Sequence, residues 1–112
     1  MAGYTLTVRR RGATDRDRFG SLDDALAALE ARLDALSRPE RRRAERGLGR
    51  EYEPVQQVAV RGEVAGPGRL RGGVDVRGDG SAEAFTGRWR RQLVERRPGE
   101  TAHEALRRAL GA

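Results

Sequence analysis

The sequence predicts a single α+β domain over residues 1–112: a two-layer, four-stranded, mostly antiparallel sheet with its helices on one face, in the order β-α-β-β-β-α. Three observations lead there. Leucines recur at alternating four- and three-residue steps from Leu22 to Leu36, which is the period of one helix face. Valine-rich stretches at residues 58–64 and 70–77 alternate apolar and polar positions, which is the period of a strand. The run "GDGS" at residues 78–81 tolerates the positive φ of a tight hairpin turn, so the strands on either side are antiparallel neighbours.

The first strand is "YTLTVRR", residues 4–10. Tyr4, Leu6 and Val8 face a core and Thr5 and Thr7 face outward. Residues 11–20, "RGATDRDRFG", are charged and turn-rich and read as a loop. The helix follows. Leu22, Leu26, Leu29, Leu33 and Leu36 share one face. Ser21 caps the free N–H groups, Asp24 stands three residues later, and Asp23 and Asp24 suit the positive end of the helix dipole. At "SRPERRRAERG" the start signal repeats, with Ser37 as cap, Pro39 in the first turn and Glu40 three after Ser37. A second short helix, or a kinked extension of the first, should run to about Arg46 and stop at Gly47.

In the next strand Val58, Val60 and Val64 share one parity, with Ala59, Arg61 and Glu63 on the other. "AGPG" at 65–68 is a turn. The strand after it sets Leu70, Val74 and Val76 against Arg69, Arg71, Asp75 and Arg77. Residues 82–97 fit two templates, because Phe85, Trp89 and Leu93 at steps of four share both a helix face and a strand parity. Thr86, Trp89 and the cost of Gly87 in a helix, about 1 kcal/mol, favour a strand with a bulge at Thr86–Gly87 and its aromatics turned to the core. A last helix starts at Thr101, with Glu104 three residues on, presents Ala102, Ala105, Leu106, Ala109 and Leu110, and ends at Gly111.

This order is similar in topology to that of double-stranded-RNA-binding domains preceded by a strand, and to that of small ribosome-associated stress factors. The RNA-binding domains carry a lysine cluster at the start of their last helix. Here that position reads Thr101-Ala102-His103-Glu104, without lysine.

Composition narrows the function. The net charge is +6 and the pI about 11.2, which points to a polyanionic partner: RNA, DNA or an acidic protein. Every basic side chain except the single His is arginine, and Lys, Ile and Asn are absent. Those three use A/T-rich codons, so a GC-rich genome accounts for the bias toward arginine without any binding role. The hydrophobic fraction is 37%, much of it alanine, and a core this thin admits completion by a second subunit. The chain has no Cys, hence no disulfide, thiolate ligand or thiol nucleophile. No segment resembles a secretory signal or a membrane span, and the expected location is cytoplasmic.

No catalytic or cofactor motif stands out. His103 with Glu100 and Glu104 is a poor metal or acid–base set, since the His is alone and the acids flank it on one helix. The glycine-rich run at 66–80 lacks phosphate-loop spacing and calcium-loop ligands. The expectation is therefore a non-enzymatic domain with no cofactor and no metal. Two readings stay open. In one, RNA or another polyanion binds the outward sheet arginines Arg61, Arg69, Arg71, Arg77, Arg88 and Arg90, with the helical cluster Arg41, Arg42 and Arg43. In the other, the chain is a homo-oligomeric accessory or interaction module, such as a homodimer, whose arginine excess reflects genome composition.

Overall fold

The computed structural model describes residues 3–45, 58–87 and 90–112, with the backbone alone over 39–45. Among these, one six-stranded sheet runs in the spatial order β2-β1-β3-β4-β5-β6, antiparallel throughout. The strands are β1 (Tyr4–Arg10), β2 (Ala13–Phe19), β3 (Val58–Ala65), β4 (Arg71–Arg77), β5 (Ala82–Thr86) and β6 (Gln92–Val94). Helix α1 (Leu22–Glu45) joins β2 to β3, and α2 (Ala102–Leu110) closes the chain. The α+β class and the antiparallel sheet are as expected. The strand number is not: six strands replace four, the order is β-β-α-β-β-β-β-α, and the topological similarity to RNA-binding domains goes with it.

Both helices pack on one face of the sheet. Leu6, Val8, Val60, Val64, Val74, Val76 and Ala84 line that inner face and meet Leu26, Leu29 and Leu33 of α1 and Ala102, Ala105 and Leu106 of α2. Each large side chain fully buried there stabilises the fold by about 1.5–3 kcal/mol. Two sheet positions without side chains set how close the helices come. A Cβ on Gly62 would fall on Leu29 Cδ1 and within 3.3 Å of both Leu33 methyl carbons; one on Gly72 would lie 2.9 Å from Leu106 Cδ1. Glycine thus gives each helix a seat against the strand backbone.

The predicted loop at 11–20 is instead the edge strand β2. Its inner side carries Asp15 and Asp17, which Arg32 of α1 neutralises, and its outer side carries Thr14, Arg16 and Arg18. A short charged edge of this kind resists pairing with another sheet. The second start signal at Ser37 begins no new helix: α1 continues through Pro39, and the nearly buried Ser37 hydroxyl donates to the Asp34 carbonyl at 3.3 Å. Position 46 and the expected stop at Gly47 lie outside the described residues.

Within 82–97 the described residues form strand rather than helix, as predicted, but as two strands, 82–86 and 92–94. Gly87, at φ +96°, ends β5, and the chain returns as β6. The predicted parity is right and the predicted face is wrong. Phe85 pairs with Leu93 on the outer face, whereas Ala82 and Ala84 point to the core. Trp89 lies outside the described residues. Val58 is also 36% exposed rather than in the core, because the β3–β4 register shifts between Val58 and Val60.

The predicted start of α2 is a full capping box. Thr101 Oγ1 accepts from Glu104 N at 3.1 Å, and Glu104 Oε1 accepts from Thr101 N at 2.8 Å. Just before it, Glu100 accepts from Arg108 Nε and Nη2 at 3.0 and 2.9 Å and from Arg97 N at 2.9 Å. The Arg108 bonds, with the Arg97 amide, hold the Glu100 carboxyl at about 2 against an ordinary 4.5. A depressed acid stabilises the fold above its unfolded value. The melting temperature of the wild type should therefore exceed that of Glu100→Gln by a constant margin above pH 4.5, and the margin should close as the pH falls toward 2. A margin independent of pH across that window would show that the contact is not ionic.

Candidate polyanion interface

On the outer face, cross-strand pairing builds rows of charge. One row runs Thr14, Arg9, Arg61, Asp75, Glu83 from β2 to β5. Arg9 and Arg61 stand directly opposite each other, which is unfavourable for like charges. Each is drawn to a separate acid. Arg61 holds Asp75 through two parallel bonds, Nε to Oδ1 at 2.5 Å and Nη2 to Oδ2 at 3.0 Å. That bond to Asp75 raises the Arg61 pKa above its ordinary value, in spite of burial. Arg9 turns instead toward Glu63, 3.6 Å away.

Glu63 is the hub of this face. It is only 4% exposed, and it accepts from Arg71 Nε at 3.1 Å and Arg91 Nη2 at 3.4 Å besides the Arg9 contact. A buried carboxylate is stable only when paired and hydrogen-bonded, and three guanidiniums supply that. Beside it, Phe85 lies across Gly73, its partner in the neighbouring strand, with its ring tip over the position a Cβ would take. Arg91 and Arg61 sit over the ring, 4.8 and 5.7 Å from its centroid.

The predicted arginines therefore divide. Arg61, Arg71 and Arg77 are on the outer face as expected, but each is engaged, Arg77 with Glu83 at 2.5 Å. Arg69 is not on a strand: it lies in the 3-10 turn Pro67–Arg69 at φ +64°, exposed and without an ion pair among the described residues. Arg90 is exposed in the β5–β6 turn and is likewise unpaired there. Arg88 lies outside the described residues, as do the side chains of Arg41, Arg42 and Arg43, whose backbone belongs to α1.

Sequence reasoning passed over Arg9, Arg16, Arg18 and Arg91. The alternation of β1 already put Arg9 on the outward side with Thr5 and Thr7. Arg16 and Arg18 were hidden by the reading of β2 as a loop. Counting Arg91, which reaches in from the β5–β6 turn, the described part of this face holds seven arginines against Glu63, Asp75 and Glu83.

A pocket of about 260 Å³ opens where β1 turns into β2, lined by Arg9, Arg10, Arg11, Val58, Ala59 and Arg61. Among the described residues no carboxylate lines it. His103 lies on α2, on the helix-covered side of the sheet. Burial lowers its pKa, against the upward pull of Glu30 and Asp34 on α1. Glu100 and Glu104 are committed to Arg108 and the capping box. Among the described residues no cluster of His, Cys, Asp or Glu could hold a metal ion, and no helix is long and apolar enough to cross a membrane. Comparison with protein-family models, curated proteins and solved structures gives no match.

Proposed function

We propose that this chain is a non-enzymatic module that binds RNA or another polyanion through the outer face of its sheet, without reading sequence. The observation that supports this is the charge of that face: among the described residues, seven arginines from β2 across to the β5–β6 turn against three carboxylates. The helices cover the other face, so the arginine-rich side is the one left for a partner. Phe85 lies under two guanidiniums and offers no platform for stacking bases, which fits contact with the phosphate backbone rather than with bases.

The test is fluorescence anisotropy of labelled single- and double-stranded RNA and DNA at low and moderate salt. Binding should weaken steeply with salt, and Arg16→Ala and Arg18→Ala, which break no ion pair among the described residues, should each reduce the slope of log K against log salt by about 1. Absence of binding at low salt, where electrostatic attraction is strongest, would sink the proposal.

One observation favours a homo-oligomeric module instead. Leu93 is 65% exposed beside Phe85 on the same face, an apolar side chain that a second copy could cover. Sedimentation equilibrium separates the two, because the polyanion reading does not require a dimer.

A further inference from the structure

The pocket at the end of the β1–β3 pair is lined by four arginines from two places in the sequence. Arg9, Arg10 and Arg11 are consecutive, so they leave the strand on alternate sides as it enters the turn, and Arg61 is the cross-strand partner of Arg9. Asp75 and Glu63 neutralise Arg61 and Arg9 from the sheet side. Arg10 and Arg11 have no ion pair among the described residues, and no described residue of the pocket lining is an acid. Cations gathered in one concavity repel one another unless an anion joins them. At about 260 Å³ the space falls below the roughly 300–1,000 Å³ of sites that enclose whole small molecules. It suits a single anionic group whose remainder stays outside.

We propose that this pocket binds the terminal phosphate of a nucleic-acid strand. The proposal rests on the reading that the outer face binds nucleic acid, and adds to it a preference for strand ends. A phosphate within a strand is a diester with a single charge and two free oxygens. A terminal phosphate is a monoester with a charge of about −1.5 to −2 near neutral pH and three acceptor oxygens. Guanidinium forks match such a group in pairs of parallel hydrogen bonds. The pocket lies at the margin of the arginine-covered face and shares Arg9 and Arg61 with it, so a strand lying across the face would bring its end there. Val58 and Ala59 complete the wall with apolar surface.

The test compares one internally labelled single-stranded RNA carrying a phosphate at its 5′ end, at its 3′ end, or at neither. One phosphorylated form should bind about tenfold more tightly than the unphosphorylated strand, as expected for one or two added hydrogen bonds between charged groups. The double variant Arg10→Ala/Arg11→Ala should erase that difference while changing the affinity of the unphosphorylated strand far less. Arg11→Lys, which keeps the charge and removes the fork, should retain part of it. Both arginines lack an ion pair among the described residues, so the variants should fold, and far-ultraviolet circular dichroism checks this. Equal affinity for all three strands overturns the pocket proposal and leaves the polyanion reading standing. Failure of every strand to bind overturns both. A phosphoserine peptide that binds more tightly than either phosphorylated RNA also overturns it, and points to a protein partner.

Discussion

Gly73→Ala should cost about 3 kcal/mol or more, at the upper end of overpacking effects, and should be the most damaging single methyl group that can be added to this sheet. Gly73 stands between Glu63 of β3 and Phe85 of β5. A Cβ there would fall on the Gly62 carbonyl oxygen and lie 2.8 Å from Phe85 Cζ. The ring could swing away; the carbonyl belongs to the backbone of the neighbouring strand and cannot move without disturbing the β3–β4 pairing. The comparison with Gly62→Ala is informative, because there the obstacle is the flexible end of Leu29 rather than backbone, and the loss should be smaller. Gly20→Ala is the control: it meets nothing within 4 Å and should stay within about 0.5 kcal/mol of wild type. Denaturant midpoints of the three variants provide the measurement. A Gly73→Ala protein as stable as Gly20→Ala would mean that β3 and β4 do not approach each other as described.

Phe85→Ala should cost about 3–5 kcal/mol, the range for removing a buried aromatic side chain. This is a large loss for a residue on the face without helices. It follows from the 2% exposure of Phe85 and from its place across Gly73, where an aromatic ring makes up for a neighbouring strand that has no side chain. The two Arg contacts over the ring add about 0.5–1 kcal/mol each at partly exposed sites. Phe85→Leu keeps most of the volume but loses both Arg contacts, and should cost about 1–2 kcal/mol, well below Phe85→Ala. Its cross-strand neighbour Leu93, 65% exposed, should tolerate alanine within about 0.5 kcal/mol. Equal losses for Phe85→Ala and Leu93→Ala in chemical denaturation would remove the ring from the interior. Because the ring occupies space next to Gly73, the two substitutions are also coupled. In the double variant Gly73→Ala/Phe85→Ala the loss should be less than the sum of the singles, though the clash with Gly62 persists.

These two residues also mark where the sequence stops being readable. The leucine ladder of α1, the valines of β3 and β4, the turn at 78–81 and the capping box of α2 all carry a local signal that agrees with the tertiary structure. Strand β2 has little. Between Ala13 and Phe19 its inner residues are Asp15 and Asp17, acceptable only because Arg32 on α1 comes to meet them, and hydrophobic periodicity cannot see a charge neutralised from another element. In β5 the apolar bulk misleads. The larger residue, Phe85, faces outward, and the core side is made of Ala82 and Ala84, small enough to let Ala105 and Leu106 of α2 come down on the sheet. Bulk predicts burial toward the core, while the missing side chain at Gly73 makes a second place for it. The candidate site was half legible for the same reason. Strand parity put Arg61, Arg71 and Arg77 on one face, but their acid partners, and the approach of Arg9 and Arg91 to Glu63, depend on pairing between segments distant in sequence.

The β1–β3 seam separates the chain into two contiguous parts. Residues 3–45 make a hairpin and a helix, residues 58–112 make a meander and a helix, and Thr5 meets Ala65 only when the two parts close on each other. The arginine pocket straddles that seam, with Arg9, Arg10 and Arg11 from one part and Val58, Ala59 and Arg61 from the other. An anion seated there touches both parts at once and has no such site in the open chain. By mass action an anion that binds only the closed molecule would stabilise it by RT ln(1 + c/Kd) at free concentration c, so ligand concentration and cohesion of the fold would be linked.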